Sequence, residues 1–246
     1  MIEPLDRLIV ALDAPTVGQA SAIVDRLGQT ARFYKIGYQL LPVGGIELAR
    51  ALSAAGKRVF LDLKFHDIGA TVARGVRSVV GLGADFLTVH AEPDVLAGAV
   101  DGRGDDRRLK ILGVTVLTSL TQENLRDSGI SMKLEDLVLK RAEFAAKAGA
   151  DGVIASAKEA AAIKKRFGDA LLIVAPGIRP AGEAAHDQAR VATPTEAIRA
   201  GADYLVIGRP IVDAQDPAKA ARAISEEIAA ALKSGRSSPP PPRPSA

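Results

Sequence analysis

Gly83-Ala84-Asp85-Phe86-Leu87-Thr88-Val89, Gly149-Ala150-Asp151-Gly152-Val153-Ile154-Ala155 and Gly201-Ala202-Asp203-Tyr204-Leu205-Val206-Ile207 are three versions of one joint. In each, a glycine able to take the left-handed conformation ends a helical stretch, and the residues after it enter a short apolar run. Working outward, such runs recur at Leu8–Leu12, Phe33–Ile36, Val59–Leu63, Phe86–His90, Ile111–Leu117, Gly152–Ala155, Leu171–Ala175 and Tyr204–Ile207, eight candidate strands. Between them lie Val17–Leu27, Ile46–Ala55, Thr71–Leu82, Leu134–Ala148 and Thr195–Ala200, whose composition favours helix. Strands alternating with helices imply βαβ units and a parallel sheet. The expected fold class is α/β, a single-domain (β/α)8 TIM barrel, which suits a chain of 246 residues. An open doubly wound sheet uses the same joints and is the alternative.

Composition narrows the field. Hydrophobic residues make up 48% of the chain, aromatics only 4%, and tryptophan is absent, so an aliphatic core is expected. The net charge is +3, and two of the arginines, Arg236 and Arg243, sit in a C-terminal stretch without acidic residues. No clustered basic face of the kind that binds nucleic acid is visible. There is no cysteine, which excludes disulfides and thiolate metal sites. The opening residues lack a basic segment followed by an apolar run, and no stretch approaches the ~20 apolar residues of a membrane span, so a cytoplasmic protein is expected. Residues 1–233 read as the barrel, and the Pro/Ser-rich residues 234–246 as a disordered or extended tail.

The chemistry concentrates in Val59-Phe60-Leu61-Asp62-Leu63-Lys64-Phe65-His66-Asp67-Ile68. Strand alternation puts Asp62 and Lys64 on one face, toward the barrel axis, and Leu61, Leu63 and Phe65 on the other. Ionised groups there are costly to desolvate unless paired or used. A salt bridge plugging the barrel mouth is the bland explanation. Against it, Asp13 follows the first strand and Lys35 lies in the second, so charges from three consecutive strands converge on the rim where barrel active sites sit. Barrels also bind phosphate through the loops after strands seven and eight, which here begin Pro176-Gly177-Ile178-Arg179 and Gly208-Arg209-Pro210. Glycine admits a close backbone approach and arginine grips two phosphate oxygens. Either pair alone would read as surface arginine; both at the expected strand ends read as a phosphate site.

Asp62-Leu63-Lys64-Phe65-His66-Asp67-Ile68 resembles the D-x-K-x-x-D-I signature of the orotidine 5′-monophosphate decarboxylase family. The resemblance extends to Ala11-Leu12-Asp13, Tyr34-Lys35-Ile36-Gly37, Leu117-Thr118-Ser119 and the two arginine loops, from about Leu8 to Leu232. It implies a cofactor-free and metal-free carboxy-lyase that converts orotidine 5′-monophosphate to UMP in pyrimidine biosynthesis. It implies an alternating array of Lys35, Asp62, Lys64 and Asp67, with Lys64 protonating the ring carbanion. It also implies a homodimer whose Asp67 and Thr71 reach the partner's site, Thr118 and Ser119 against the pyrimidine, and substrate contacts from Asp13, Ile68, Pro176, Arg179, Gln188, Gly208 and Arg209. Residues Arg179 to Gln188 are similar to the family's loop that closes over phosphate. Thr118 and Ser119 could instead cap the next helix, as could Thr121. The family's usual D-I-P-N-T becomes Asp67-Ile68-Gly69-Ala70-Thr71 here, which removes a proline and is expected to loosen the loop.

The histidines His66, His90 and His186 lack metal-ligand spacing; His90, ending a strand, is expected to support the site by hydrogen bonding. Two other functions fit part of the pattern. A sugar-phosphate decarboxylase or synthase on the same fold shares D-x-K-x-x-D but works through a divalent metal. A catalytically silent barrel would keep the phosphate loops without using Lys64.

Overall fold

A computed structural model describes residues 2–181 and 190–235. Eight strands form a closed parallel barrel in chain order: β1 (Leu8–Ala11), β2 (Phe33–Ile36), β3 (Arg58–Phe65), β4 (Phe86–His90), β5 (Lys110–Val114), β6 (Gly152–Ile154), β7 (Leu172–Ala175) and β8 (Tyr204–Ile207). Closure is made by β1 against β8, with Leu8 opposite Leu205 and Val10 opposite Ile207, which rules out the open sheet. The helices are α1 (Pro4–Arg7), α2 (Val17–Leu27), α3 (Gly45–Ala54), α4 (Gly69–Val79), α5 (Pro93–Arg103) and α6 (Gln122–Asp127). They continue with α7 (Leu134–Ala148), α8 (Ala157–Phe167), α9 (Pro194–Arg199), α10 (Arg209–Val212) and α11 (Pro217–Gly235). Residues 236–246, most of the Pro/Ser-rich stretch, lie outside the described residues; α11 itself continues through Ser234 to Gly235.

The three joints do more than turn the chain. Gly83, Gly149 and Gly201 take φ values of 79°, 76° and 100°. The aspartate that follows each one then clamps a neighbouring strand. Asp85 accepts the Val59 N–H at 3.0 Å, Asp151 that of Ile111 at 2.9 Å, and Asp203 that of Ile173 at 2.8 Å. The backbone N–H of each aspartate returns a bond to the carbonyl of the same residue. Cations neutralise each carboxylate: Arg58 on Asp85, Arg103 and Lys110 on Asp151, and Lys164 on Asp203. The joint is therefore a repeated device that holds odd and even strands in register at the N-terminal end of the barrel.

Packing divides into two layers. Between strands and helices the buried side chains are aliphatic, among them Leu61 and Leu63 with Phe65 against them, as alternation requires. Inside the barrel the expectation of an aliphatic core fails. Phe33, Phe60, Phe86 and Tyr204 fill it with Ile9, Leu112, Val174 and Val206. The interior is small, so a few large rings fill it despite the chain's low aromatic content. The rings meet edge to face, Phe33 on Phe86 at 4.9 Å and Phe86 on Tyr204 at 5.0 Å. Arg58 caps this cluster with its guanidinium 4.1 Å from the Phe33 ring.

The altered sequence after Ile68 also has a packing role. Gly69 opens α4 directly under α5: a Cβ on it would fall 2.8 Å from the Asp94 carbonyl oxygen. From the other side, a Cβ on Gly98 would fall 2.2 Å from the Gly69 carbonyl oxygen. Glycine in place of proline at this position permits a close approach of the two helices.

Candidate active site

Where β1, β2 and β3 end, acids and ammonium groups alternate. Lys35 Nζ lies 3.0 Å from Asp13 Oδ1 and 3.5 Å from Asp62 Oδ2, and Lys64 Nζ lies 2.8 Å from Asp62 Oδ1. Burial works against the charge on Lys35, but the Asp62 and Asp13 carboxylates outweigh it and hold its pKa above the ordinary value. Burial would likewise raise Asp62, yet Lys35, Lys64 and hydrogen bonds from Lys64 and Thr88 hold it below the ordinary carboxylate range. Lys35 and Asp62 are thus each stabilised in the ionised form by their neighbours.

The backbone that carries this row is irregular. Leu61 pairs with Leu87 and Phe65 with Val89, so β3 spends four residues where β4 spends two. Lys64 sits in the resulting bulge at φ 44°, a positive φ on a residue with a Cβ. Two residues that the sequence reading did not assign to the site hold it there. The Lys64 N–H donates to Thr88 Oγ1 at 3.0 Å, and that hydroxyl donates to Asp62 Oδ1 at 2.9 Å. Tyr38 donates its hydroxyl to the Leu63 carbonyl at 2.9 Å and places its ring 5.5 Å from Lys64 Nζ. Thr88 was accessible to reasoning, being the inward position two residues after Phe86; Tyr38 stands in a loop whose path the sequence does not dictate.

The row lines a cavity of about 610 Å³, so it is no sealed plug. Asp13, Lys35, Asp62 and Lys64 line one part, and Pro176, Gly177, Arg179, Gly208 and Arg209 line another. Gly177 takes φ 75°, which turns the chain after β7, and Arg179 is buried with one nitrogen donating to the Ile178 carbonyl at 2.8 Å. Phe60, Val114, Ile154 and Val206 supply an apolar wall. Thr118 and Ser119 also line the cavity, and the capping role is filled by Thr121, whose hydroxyl accepts from Asn124 N in a reciprocal capping box. The cavity therefore offers one strongly charged wall, two glycine–arginine loops suited to an anion, and apolar surface for a flat ring.

Comparison with known proteins converges on one group. Residues 6–224 match the Orotidine 5′-phosphate decarboxylase / HUMPS family. The chain belongs to this family. A protein of Rhodopseudomonas palustris strain BisA53 named orotidine 5′-phosphate decarboxylase is 55% identical over 230 residues, covering 94% of this chain and 97% of its own. One of the same name from strain ATCC BAA-98 / CGA009 is 57% identical over 226 residues, covering 92% and 95%. The crystal structure of orotidine 5′-phosphate decarboxylase from Lactobacillus acidophilus superimposes with a TM-score of 0.80 at 37% identity, covering 90% of this chain and 98% of that one.

Not every residue expected from the decarboxylase family's signature gathers at this cavity. Asp67, Ile68 and Thr71 do not line it. Asp67 accepts the Ile68 N–H at 2.7 Å, Ile68 is 71% exposed, and Thr71 accepts from Arg74 at 3.2 Å. Among the described residues, the carboxylate paired with Lys64 is that of Asp62. Gln188 and His186, and most of the stretch similar to the family's closing loop, lie outside the described residues. His90 stacks on His66 at 4.5 Å, and its pKa is lowered by burial first and then by His66. Glu92, Arg141 and Lys64 of the charged row also act on it electrostatically. Among the described residues, no group of three or more His, Asp or Glu is placed to hold a metal ion.

Proposed function

We propose that this protein is a carboxy-lyase that decarboxylates orotidine 5′-monophosphate to uridine 5′-monophosphate and carbon dioxide, the activity named for its relatives. The observation that carries the reading is the Lys64 ammonium, held 2.8 Å from Asp62 in the wall of a cavity that also contains Arg179 and Arg209. The phosphate binds at Arg179, Arg209 and the glycines beside them, with Pro176 and Gln188 completing the contacts. Thr118 and Ser119 meet the pyrimidine. Asp13 and Lys35 hold the ribose hydroxyls.

The bond between the ring carbon and its carboxyl group then breaks, the electron pair stays on the ring carbon, and carbon dioxide departs. Lys64 stabilises that pair as it forms and transfers a proton to the carbon, regaining one from solvent afterwards. Asp62 opposes the bound carboxylate, a repulsion relieved when neutral carbon dioxide leaves. Remote phosphate contacts lower the barrier at the reacting carbon by fixing the ring in place. No cofactor enters this scheme.

The protein works as a homodimer with Asp67, Ile68 and Thr71 reaching the site of the other subunit. The exposure of Ile68 and the outward position of Asp67 support this arrangement. No helix among the described residues is long and apolar enough to cross a membrane, and a cytoplasmic enzyme is part of the same reading.

The test is to follow the absorbance of orotidine 5′-monophosphate with purified protein, EDTA and nothing else added. Full turnover in chelator is expected. Turnover that requires a restored divalent cation would favour the sugar-phosphate chemistry of the same fold.

A further inference from the structure

Arg190 and Glu159 form a buried ion pair that the scheme above does not use. Their nearest atoms are 2.7 Å apart, with side chains 10% and 7% exposed. Glu159 lies in the first turn of α8, after β6. Burial raises its pKa and Arg190 pulls it back toward ionisation. The second terminal nitrogen of Arg190 donates to two successive carbonyls, Val116 at 3.1 Å and Leu117 at 3.0 Å. Those carbonyls belong to the turn that immediately precedes Thr118 and Ser119.

Arg190 also stands on the returning limb of the β7 loop. Two residues later that limb is pinned to the outgoing one: Arg179 N–H donates to the Ala192 carbonyl at 2.9 Å, and Ala192 N–H to Gly177 at 3.3 Å. One guanidinium therefore joins the turn after β5, the first turn of α8 after β6, and the loop after β7. Its planar fork suits this task, since it serves two acceptors on one side and a carboxylate on the other. An ammonium presents a single nitrogen and cannot span the same set.

We infer that Arg190 is a positioning residue, holding the Thr118–Ser119 turn in register with the Arg179 loop so that ring and phosphate contacts are made together. This rests on the decarboxylase reading and extends it to a residue that lines no part of the cavity. The geometry required is strict, because small misplacements of a reacting group are costly.

The test compares Arg190→Lys with the wild-type enzyme on orotidine 5′-monophosphate, in the presence of Ser119→Ala and of the double variant. Lysine keeps the ion pair with Glu159, so the fold is retained; a melting curve verifies it. Arg190→Lys is expected to lower kcat by about tenfold with a smaller change in KM. Its effect is expected to be less than multiplicative with that of Ser119→Ala, because both act through one turn. Wild-type kcat in Arg190→Lys, or full multiplicativity with Ser119→Ala, would overturn the inference. An inactive wild-type protein would instead refute the decarboxylase reading itself.

Discussion

Lys64 donates to Asp62 Oδ1 at 2.8 Å from a bulge in which its own φ is 44°. The two side chains share the inward face that strand alternation requires, but the strand between them is not regular. The N–H of Lys64 leaves the sheet ladder and is taken up by Thr88, which also binds the same Asp62 oxygen. Backbone strain, the hydroxyl and the ion pair are thus parts of one device, of the kind that persists where the surroundings over-determine it.

Replacing Lys64 with glycine or with alanine removes the same ammonium, but only glycine accepts a positive φ without a steric penalty. The glycine variant should be more stable than the alanine variant by about 1 kcal/mol. In a regular strand the order would be reversed, by roughly 0.5–1 kcal/mol. Urea unfolding of the two variants measures the difference.

Thr88→Val should weaken the hold on Asp62. The folded pKa of Asp62 is depressed, so its contribution to stability is full above the unfolded value of about 3.9 and is lost as pH falls through the folded value. Without the Thr88 hydroxyl that folded value rises, the contribution shrinks by about 1 kcal/mol, and its loss moves to higher pH. Lys35 behaves oppositely: its raised pKa gives stability that is full below about 10.4 and lost as pH rises through the folded value. The alkaline limb of the stability curve should therefore stay where it is while the acid limb shifts. Thermal melts across the pH range separate the two limbs.

Much of the barrel was legible because its signals are local. Three glycine–alanine–aspartate joints marked three strand entries, and β2, β4 and β8 run over the expected residues. β5 ends at Val114 rather than Leu117; Thr115 still donates to the Ile154 carbonyl, and Val116 and Leu117 turn away into the grip of Arg190. An apolar run does not record where pairing stops. The charged row was visible because alternation puts Asp62 and Lys64 on one face, and both line the cavity despite the bulge. What the sequence hid was non-local: the bulge, the Thr88 and Tyr38 contacts, the clamp made by each joint's aspartate, and an aromatic interior that brings Tyr204 onto Phe33 and Phe86.

Asp151→Ala tests the clamp. Asp151 accepts from the Ile111 N–H and pairs with both Arg103 and Lys110, and Arg103 is buried. Truncation leaves a buried cation and a strand N–H without an acceptor, a loss of about 3 kcal/mol. Asp203→Ala should cost less, since Lys164 retains Asp169 at 3.5 Å. Denaturant midpoints for the two variants give the order.

A site shared between subunits has a distinctive signature in mixtures. Lys64→Ala and Asp67→Ala proteins should each be inactive alone. Unfolded together and refolded, they should recover about a quarter of wild-type activity, because each mixed dimer with two-fold symmetry regains one intact site. If Asp67 served its own protomer, no activity would return.

The most direct test of the role assigned to Lys64 is carbon dioxide release from orotidine 5′-monophosphate by the Lys64→Ala variant, at a nucleotide concentration where its binding of UMP has been verified. Release no faster than in the absence of protein, with UMP still bound, is the expected result. Decarboxylation at the wild-type rate would contradict it, and would remove the ammonium from the reaction.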